Sequence, residues 1–245
     1  IYSIKTDCFA QLNVSQGGTA QAMATAIVGP GVIVSNATIN CPTQSYGTFT
    51  GSSTNIGLTS GIMLTTGFVT NVPNPASTQL NDMTGTSGSD PDLVAIYPAD
   101  TINTCILEFD IIPICDTLKL TYVFASEEYP DYVCSQYNDA FGFFISGPNP
   151  LGGNYTSKNI ALVPGSNVAV AINSINGGAI GINGTAGGCG GPGDPGLNNT
   201  GYYVNNQGGT TIAYNGFTVP LTASVPVVTC QTYHLKLAIA DAVDQ

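Results

Sequence analysis

Two segments of the chain alternate apolar and polar side chains with period two: Leu118-Lys119-Leu120-Thr121-Tyr122-Val123-Phe124 and Tyr233-His234-Leu235-Lys236-Leu237-Ala238-Ile239. Such alternation places one face of a strand in a core and the other in water, so His234 and Lys236 are expected to point outward. Phe141-Gly142-Phe143-Phe144-Ile145 is apolar throughout, the pattern of a strand covered on both faces. Short β-rich runs bounded by turn signals fill most of the remaining chain. Predicted strands span residues 32–39, 61–66, 104–112, 117–125, 140–146, 159–162, 168–172, 211–217, 219–225 and 232–240. Only residues 18–27, GTAQAMATAI, read as a short helix, because alanine is the best helix former.

Residues 71–92 and 177–199 are loops by composition, the first rich in Pro, Asn, Ser and Gly, the second in Gly and Asn. Strand patterns continue on both sides of each, so neither reads as an interdomain linker, and no fixed-period repeat is visible. The expected fold is all-β: an antiparallel two-sheet β-sandwich of jelly-roll or lectin-like type, with long loops at one end and at most one short helix. Residues 1–26 are expected to form an N-terminal arm, or a first strand and the short helix, and residues 27–245 the sandwich, as part of a longer protein or assembly.

Composition narrows the function classes. The 245 residues carry 4 Lys, no Arg and 15 Asp+Glu, for a net charge of −11. Neutralising phosphates takes basic side chains, so a nucleic-acid partner is excluded. Charged residues make up only 8% of the chain while hydrophobic ones reach 43%, so the core is substantial and Asn, Thr, Ser and Gly must wet the surface. The longest apolar run, residues 163–180, is interrupted by Pro164, Gly165 and Asn173 and is not a membrane span, so no direct membrane insertion is expected. The sequence opens Ile1-Tyr2-Ser3 without a cationic-then-apolar stretch, which suits a removed export signal or a segment of a longer chain.

Seven cysteines (Cys8, Cys41, Cys105, Cys115, Cys134, Cys189 and Cys230) are scattered singly, without a CxxC pair and with one histidine in the chain. A zinc site is therefore disfavoured against disulfides formed in an oxidising compartment. Their odd number leaves one unpaired or paired outside the chain. Cys105 and Cys115 are not expected to join, since an extended 106–112 would hold them roughly 30 Å apart.

The richest candidate chemistry lies between Phe124 and Asp139. Glu127, Glu128, Asp131 and Asp139 fall within thirteen positions in a chain otherwise poor in charge, joined by Asn138. Clustered carboxylates repel unless a cation or protons compensate, and hard oxygen donors favour Ca²⁺. Glu128, Asp131 and Asp139 are the expected metal ligands, with Asp82 and Asp241 from neighbouring loops; Asp90, Asp92 and Asp244 are further candidates. No EF-hand spacing or nonapeptide repeat is present, so a solvated acidic loop is the competing reading. Adjacent Glu127 and Glu128 on a strand would face opposite ways, which does not suit a glycosidase pair. His234 is the single imidazole and no GxSxG elbow exists, so a non-enzymatic protein is expected. Tyr129, Tyr132 and Tyr137 line the acidic loop beside Asn138; such rings can stack on sugars, contact protein or simply seal the end of the sandwich. Sequons at Asn13, Asn36, Asn154, Asn183 and Asn198 are weak evidence of glycosylation.

Several longer segments resemble one known family. IVGPGVIVSNATI from Ile27, IGLTSGIMLTTG from Ile56, LEFDIIP from Leu107 and YVFASEEYPDYV from Tyr122 are similar to the choice-of-anchor L domain of bacterial surface proteins, as are NDAFGFFISGPNP from Asn138, NIALVPG from Asn159, YNGFTVPLTA from Tyr214 and CQTYHLKLAIAD from Cys230. The resemblance implies an exported domain on secreted or cell-surface proteins, often large and adhesin-like, of Bacteroidota that use a type 9 secretion route, with the anchor outside the domain. Family members look as though they continue past the LAIAD segment into another strand. The expectation is therefore either a chain cut from a longer protein or an open edge beside residues 232–240, where a partner strand would add. Asp139-Ala-Phe-Gly-Phe-Phe also resembles loosely the calcium-ligating strand of legume-type lectins.

The combined expectation is an extracellular, non-enzymatic adhesion or assembly module, stabilised by Ca²⁺. The alternatives are a filament subunit joined by strand exchange, with the arm of residues 1–18 and the open edge as its marks, and a carbohydrate-binding or carbohydrate-active domain. Expected partners are other copies or other domains of a surface protein or filament, and glycans.

Overall fold

In the computed structural model the structure describes residues 12–52, 54–76, 88–97 and 101–243. Along the chain the first elements are β1 (Asn13–Gln16), α1 (Ala20–Ile27), β2 (Ile33–Asn40), β3 (Tyr46–Thr50), β4 (Ser60–Leu64) and α2 (Pro91–Ile96). Then come β5 (Thr101–Ile112), β6 (Thr117–Tyr122), β7 (Ala125–Ser126), β8 (Ala140–Pro148) and β9 (Asn154–Asn159). β10 (Tyr203–Asn205), β11 (Gly216–Thr218), β12 (Leu221–Pro226) and β13 (Tyr233–Ala242) complete the order.

The all-β sandwich read from the alternation is what forms. One layer is a five-stranded antiparallel sheet in the order β2-β5-β13-β8-β9. The facing layer consists of β1-β3-β4 and β12-β6, and a small sheet, β10-β11-β7, covers one end. Between the layers, Leu107, Phe109 and Ile111 of β5, Leu235 and Leu237 of β13 and Phe143 and Ile145 of β8 meet Leu221, Ala223 and Val225 of β12 and Tyr122 of β6. At about 1.5–3 kcal/mol for each fully buried large apolar side chain, this core is the main source of stability.

β8 is covered on both faces, as its uninterrupted apolar sequence requires. Phe143 and Ile145 enter the main core, while Ala140 and Phe144 lie under α2 with Leu93, Tyr97, Ala238 and Ala240. The helix starts where local chemistry dictates. The Asp90 carboxylate accepts from Asp92 N at 3.0 Å and Leu93 N at 3.1 Å, and Pro91 occupies the first turn. α1 is capped in the same way by Thr19, whose hydroxyl accepts from Ala22 N at 3.2 Å. The sequence reading had only the first of these two helices.

α2 also corrects the expectation for Lys236. The side chain does leave β13 on the outer face, but α2 covers that face and Lys236 is only 8% exposed. Its ammonium donates to Asp90 at 2.7 and 2.9 Å and pairs with Asp92. It also stands 5.1 Å from the centre of the Phe144 ring. Burial works against the charged amine, yet the two carboxylates outweigh it and hold the pKa above the ordinary lysine value. Asp90 and Asp92 are thus committed to an ion pair and are not metal ligands. His234 is exposed as expected, with Nδ1 2.8 Å from Asp110 and Nε2 3.4 Å from Glu108.

Among the described residues two disulfides are present, Cys41–Cys105 and Cys134–Cys189, and Cys115 and Cys230 are exposed free thiols. Cys8 lies outside the described residues.

The open edge expected beside residues 232–240 is not there. β13 is the central strand of the five-stranded sheet, paired with β5 from Tyr233↔Ile111 to Ala242↔Thr101 and with β8 from His234↔Ser146 to Ala240↔Ala140. Its backbone groups are used on both sides. The strands expected at 159–162 and 168–172 reduce to single bridges, Leu162↔Ala169 and Ala140↔Ala171.

Candidate functional site

The acidic segment after β7 does not hang in solvent as a free loop. The Cys134–Cys189 bond ties it to the Gly/Asn-rich segment between residues 177 and 199. Main-chain bonds then zip the two together: Gly181 N to Val133 O at 3.0 Å, Asn183 N to Asp131 O at 2.9 Å and Thr185 N to Cys134 O at 3.0 Å. Glycine is demanded at these contacts by space. A Cβ on Gly184 would lie 2.0 Å from Val133 O, and one on Gly188 would lie 2.0 Å from Cys134 O. Asn173 anchors the assembly from the core side. Its amide oxygen accepts from Cys134 N at 2.7 Å, and its amide nitrogen donates to Ser135 O at 2.7 Å.

Each residue expected at the site can now be placed. Tyr129 is 1% exposed and its hydroxyl donates to Ile175 O at 2.6 Å, so its ring belongs to the core and is not a ligand-stacking surface. Burial foremost, then the neighbouring Tyr203 and the Asp139 charge, raises its pKa well above the ordinary tyrosine value. Tyr132 and Tyr137 are half-buried and meet edge to face at 5.1 Å. The Asn138 side-chain oxygen accepts from Asn173 N at 2.9 Å, a structural bond.

Among the carboxylates, Asp139 reaches the main chain next to Asp241. Asp139 accepts from the Ser126 hydroxyl at 2.7 Å and from Ala242 N at 3.4 Å, and Asp241 accepts from the Asn103 amide at 3.0 Å. Both carboxylates, with Glu127, act on the half-buried Tyr214, whose hydroxyl lies 3.0 Å from Thr65 Oγ1. Its pKa is pushed up to about 12, by burial first and by these three charges in addition, against the lowering effect of Thr65. Glu127 and Tyr214 were not among the expected site residues; Glu127 was legible as a member of the acidic run, whereas Tyr214 had no sequence signal. Glu128 is half-buried and its N–H donates to Ser126 Oγ at 3.0 Å, while Asp131 is exposed. Asp82 and Asp244 lie outside the described residues. Among the described residues, no three His, Cys, Asp or Glu side chains come together closely enough to share a metal ion.

The end of the sandwich is therefore a platform of two clamped loops, backed by the buried Tyr129 and presenting Ile180, Ile182 and Asp131 to solvent. Fold and disulfides together define the class, a disulfide-bonded β-sandwich module suited to an oxidising, extracellular setting. No helix among the described residues is long and apolar enough to cross a membrane. The chain belongs to the choice-of-anchor L domain family, whose family model matches residues 12–245. Membership makes it a surface-associated domain of an exported protein, and the family is not known as an enzyme family. Neither the curated proteins nor the solved structures return a match to the chain.

Proposed function

We propose that the chain is a non-enzymatic adhesion or assembly module, displayed on the cell surface, that makes contact through its clamped loop platform. The observation behind this reading is the Cys134–Cys189 clamp, which orders two long loops before any partner arrives. A preorganised surface loses little entropy on binding. On it Ile182 is 83% exposed, bonded through its neighbour Asn183 to the exposed Asp131, an apolar and acidic mixture suited to a protein partner. Delivery by a type 9 secretion route belongs to the same proposal.

The chain immobilised on a sensor should bind cell envelopes of the producing bacterium, and Ile182→Glu should weaken that binding about tenfold without moving the melting temperature. Equal binding by the variant would move the contact elsewhere; no binding by either protein would remove the adhesion reading.

Calcium is the finer part of the proposal. Its ligands would centre on Asp139 and Asp241, whose charges both act on Tyr214. Chelation with EDTA should then lower the melting temperature by several degrees, since a bound ion stabilises only the folded chain. An unchanged melt would remove calcium from the account. Glycan recognition has less support, because Tyr129 is buried and Asn138 is engaged within the loop pair.

A further inference from the structure

The groups gathered around Lys236 can do more than form an ion pair. Its Nζ lies 2.7 Å from Asp90 Oδ2 and 2.9 Å from Oδ1, so the nitrogen stands against one carboxyl group. Asp92 Oδ2 contacts the same nitrogen from the first turn of α2. Lys236 and Asp90 are both buried, and the Phe144 ring packs against the amine at 5.1 Å. Bulk water, which would reverse a condensation, is kept away from this point.

The two oxygens of Asp90 are not equivalent. Oδ1 accepts from the main-chain N–H of Asp92 at 3.0 Å and of Leu93 at 3.1 Å, whereas Oδ2 receives the shorter bond from Lys236. Two fixed N–H donors on one oxygen stabilise negative charge that develops there when a carbonyl carbon is attacked. The site thus holds a nucleophile, a polarised carboxyl carbon and a second carboxylate able to carry protons.

We propose that Lys236 and Asp90 condense within the folded chain to an isopeptide bond, with Asp92 as the proton carrier. The step balances without a cofactor. One ammonium proton passes to Asp90 Oδ2, leaving a neutral amine and a neutral acid, the forms that burial favours. The nitrogen lone pair attacks Cγ, which forms the C–N bond and places negative charge on Oδ1 between the two N–H donors. Asp92 takes a proton from the attached nitrogen and passes it to Oδ2. The C–Oδ2 bond then breaks and one water leaves. In the product the amide oxygen is Oδ1, which still caps α2, and Asp92 is again a carboxylate.

The two carboxylates that hold Lys236 protonated at the start are the groups that receive its protons. Chains that have not yet condensed keep the ion pair, and only they lose stability as Lys236 titrates. The bond joins positions 146 apart in sequence and ties the central strand β13 to the helix on its outer face. It forms once per molecule and involves neither the loop platform nor a partner, so it stands or falls apart from the adhesion reading.

The test is the intact mass of the full chain, followed over days at neutral pH and read in denaturant with disulfides reduced and thiols alkylated. The mass should settle one water below that of the sequence, and proteolysis should yield a branched fragment joining Lys236 to Asp90. Asp92→Asn keeps the lysine, its Asp90 partner and the helix cap, so it should fold with a cooperative melt. Its condensation should nevertheless be about a hundredfold slower. Lys236→Arg, which retains a cation but has no amine to attack with, should keep the full sequence mass. A folded parent chain that stays at full mass overturns the proposal and leaves an ion pair alone. A lost water that maps to any other position overturns it as well. Condensation of Asp92→Asn at the parent's rate overturns the proton path through Asp92.

Discussion

Replacing both Cys134 and Cys189 by serine is expected to lower the stability of the fold by about 4 kcal/mol. The bond joins residues 55 apart in sequence, and chain-entropy arithmetic for a loop of that length gives this figure. Native strain is one way such a value is reduced, but here the two segments are also held by three main-chain bonds and by Asn173, so the bond closes a contact that is already complementary. Guanidinium unfolding should show a lower midpoint and a larger slope, because the unfolded chain without the cross-link exposes more surface. The effect should be local first. Amides of Gly181, Asn183 and Thr185 should exchange faster than those of β5 or β13. An unchanged midpoint would mean that the loop pair holds itself without the bond.

Lys236→Met is expected to be nearly as damaging, at about 3–5 kcal/mol, because it leaves the Asp90 carboxylate buried without its cation. Asp90 cannot simply turn to water, since the same side chain caps α2. Adding Asp90→Asn to Lys236→Met should recover a good part of the loss, as asparagine caps a helix nearly as well without a charge. A double variant no better than the single one would mean that packing against Phe144, and not charge, makes Lys236 important. The pH dependence has a definite sign. The folded pKa of Lys236 is raised, so the pair contributes fully below the unfolded lysine value of about 10.4 and is lost as pH rises through the higher folded value. The urea midpoint of the parent chain should therefore fall as pH rises above about 10.4, and that of Lys236→Met should not share the fall.

These two predictions lie at opposite ends of what the sequence reveals. Alternation over residues 118–124 and 233–239 was enough to identify β6 and β13, and the unbroken apolar run at 141–145 was enough to foresee cover on both faces of β8. Period two reports which residues share a face, however, and not what lies on that face. Lys236 was therefore read as solvated, although Asp90-Pro91 before a Leu-Val-Ala-Ile run carries the cap and first-turn signals from which α2 is legible. β1 and β3 are short and carry polar or glycine residues at more than half their positions, so they gave little signal without their partners.

The site was legible in composition and not in geometry. Acidic residues crowd into positions 127–139, but distance along the chain does not tell that Asp139 reaches the main chain at Ala242 while Asp131 faces water. Tyr129 looks like its neighbours Tyr132 and Tyr137 in sequence. It differs because Ile175, 46 residues later, supplies the carbonyl that accepts its hydroxyl. The unpaired edge was misplaced for a related reason. The last strand in sequence was read as a border strand, whereas long-range pairing puts it in the middle.

That central position of β13 has a consequence for how the protein comes into being. β5 and β8 have no neighbour to join them until residues 233–242 emerge, and the pairing Tyr233↔Ile111 spans half the chain. Loop closure of that length makes sheet formation slow and late. A polypeptide leaving the ribosome, or threading through an export channel, thus keeps this domain pliable until residues 233–242 are available, and only then does the sheet lock into shape.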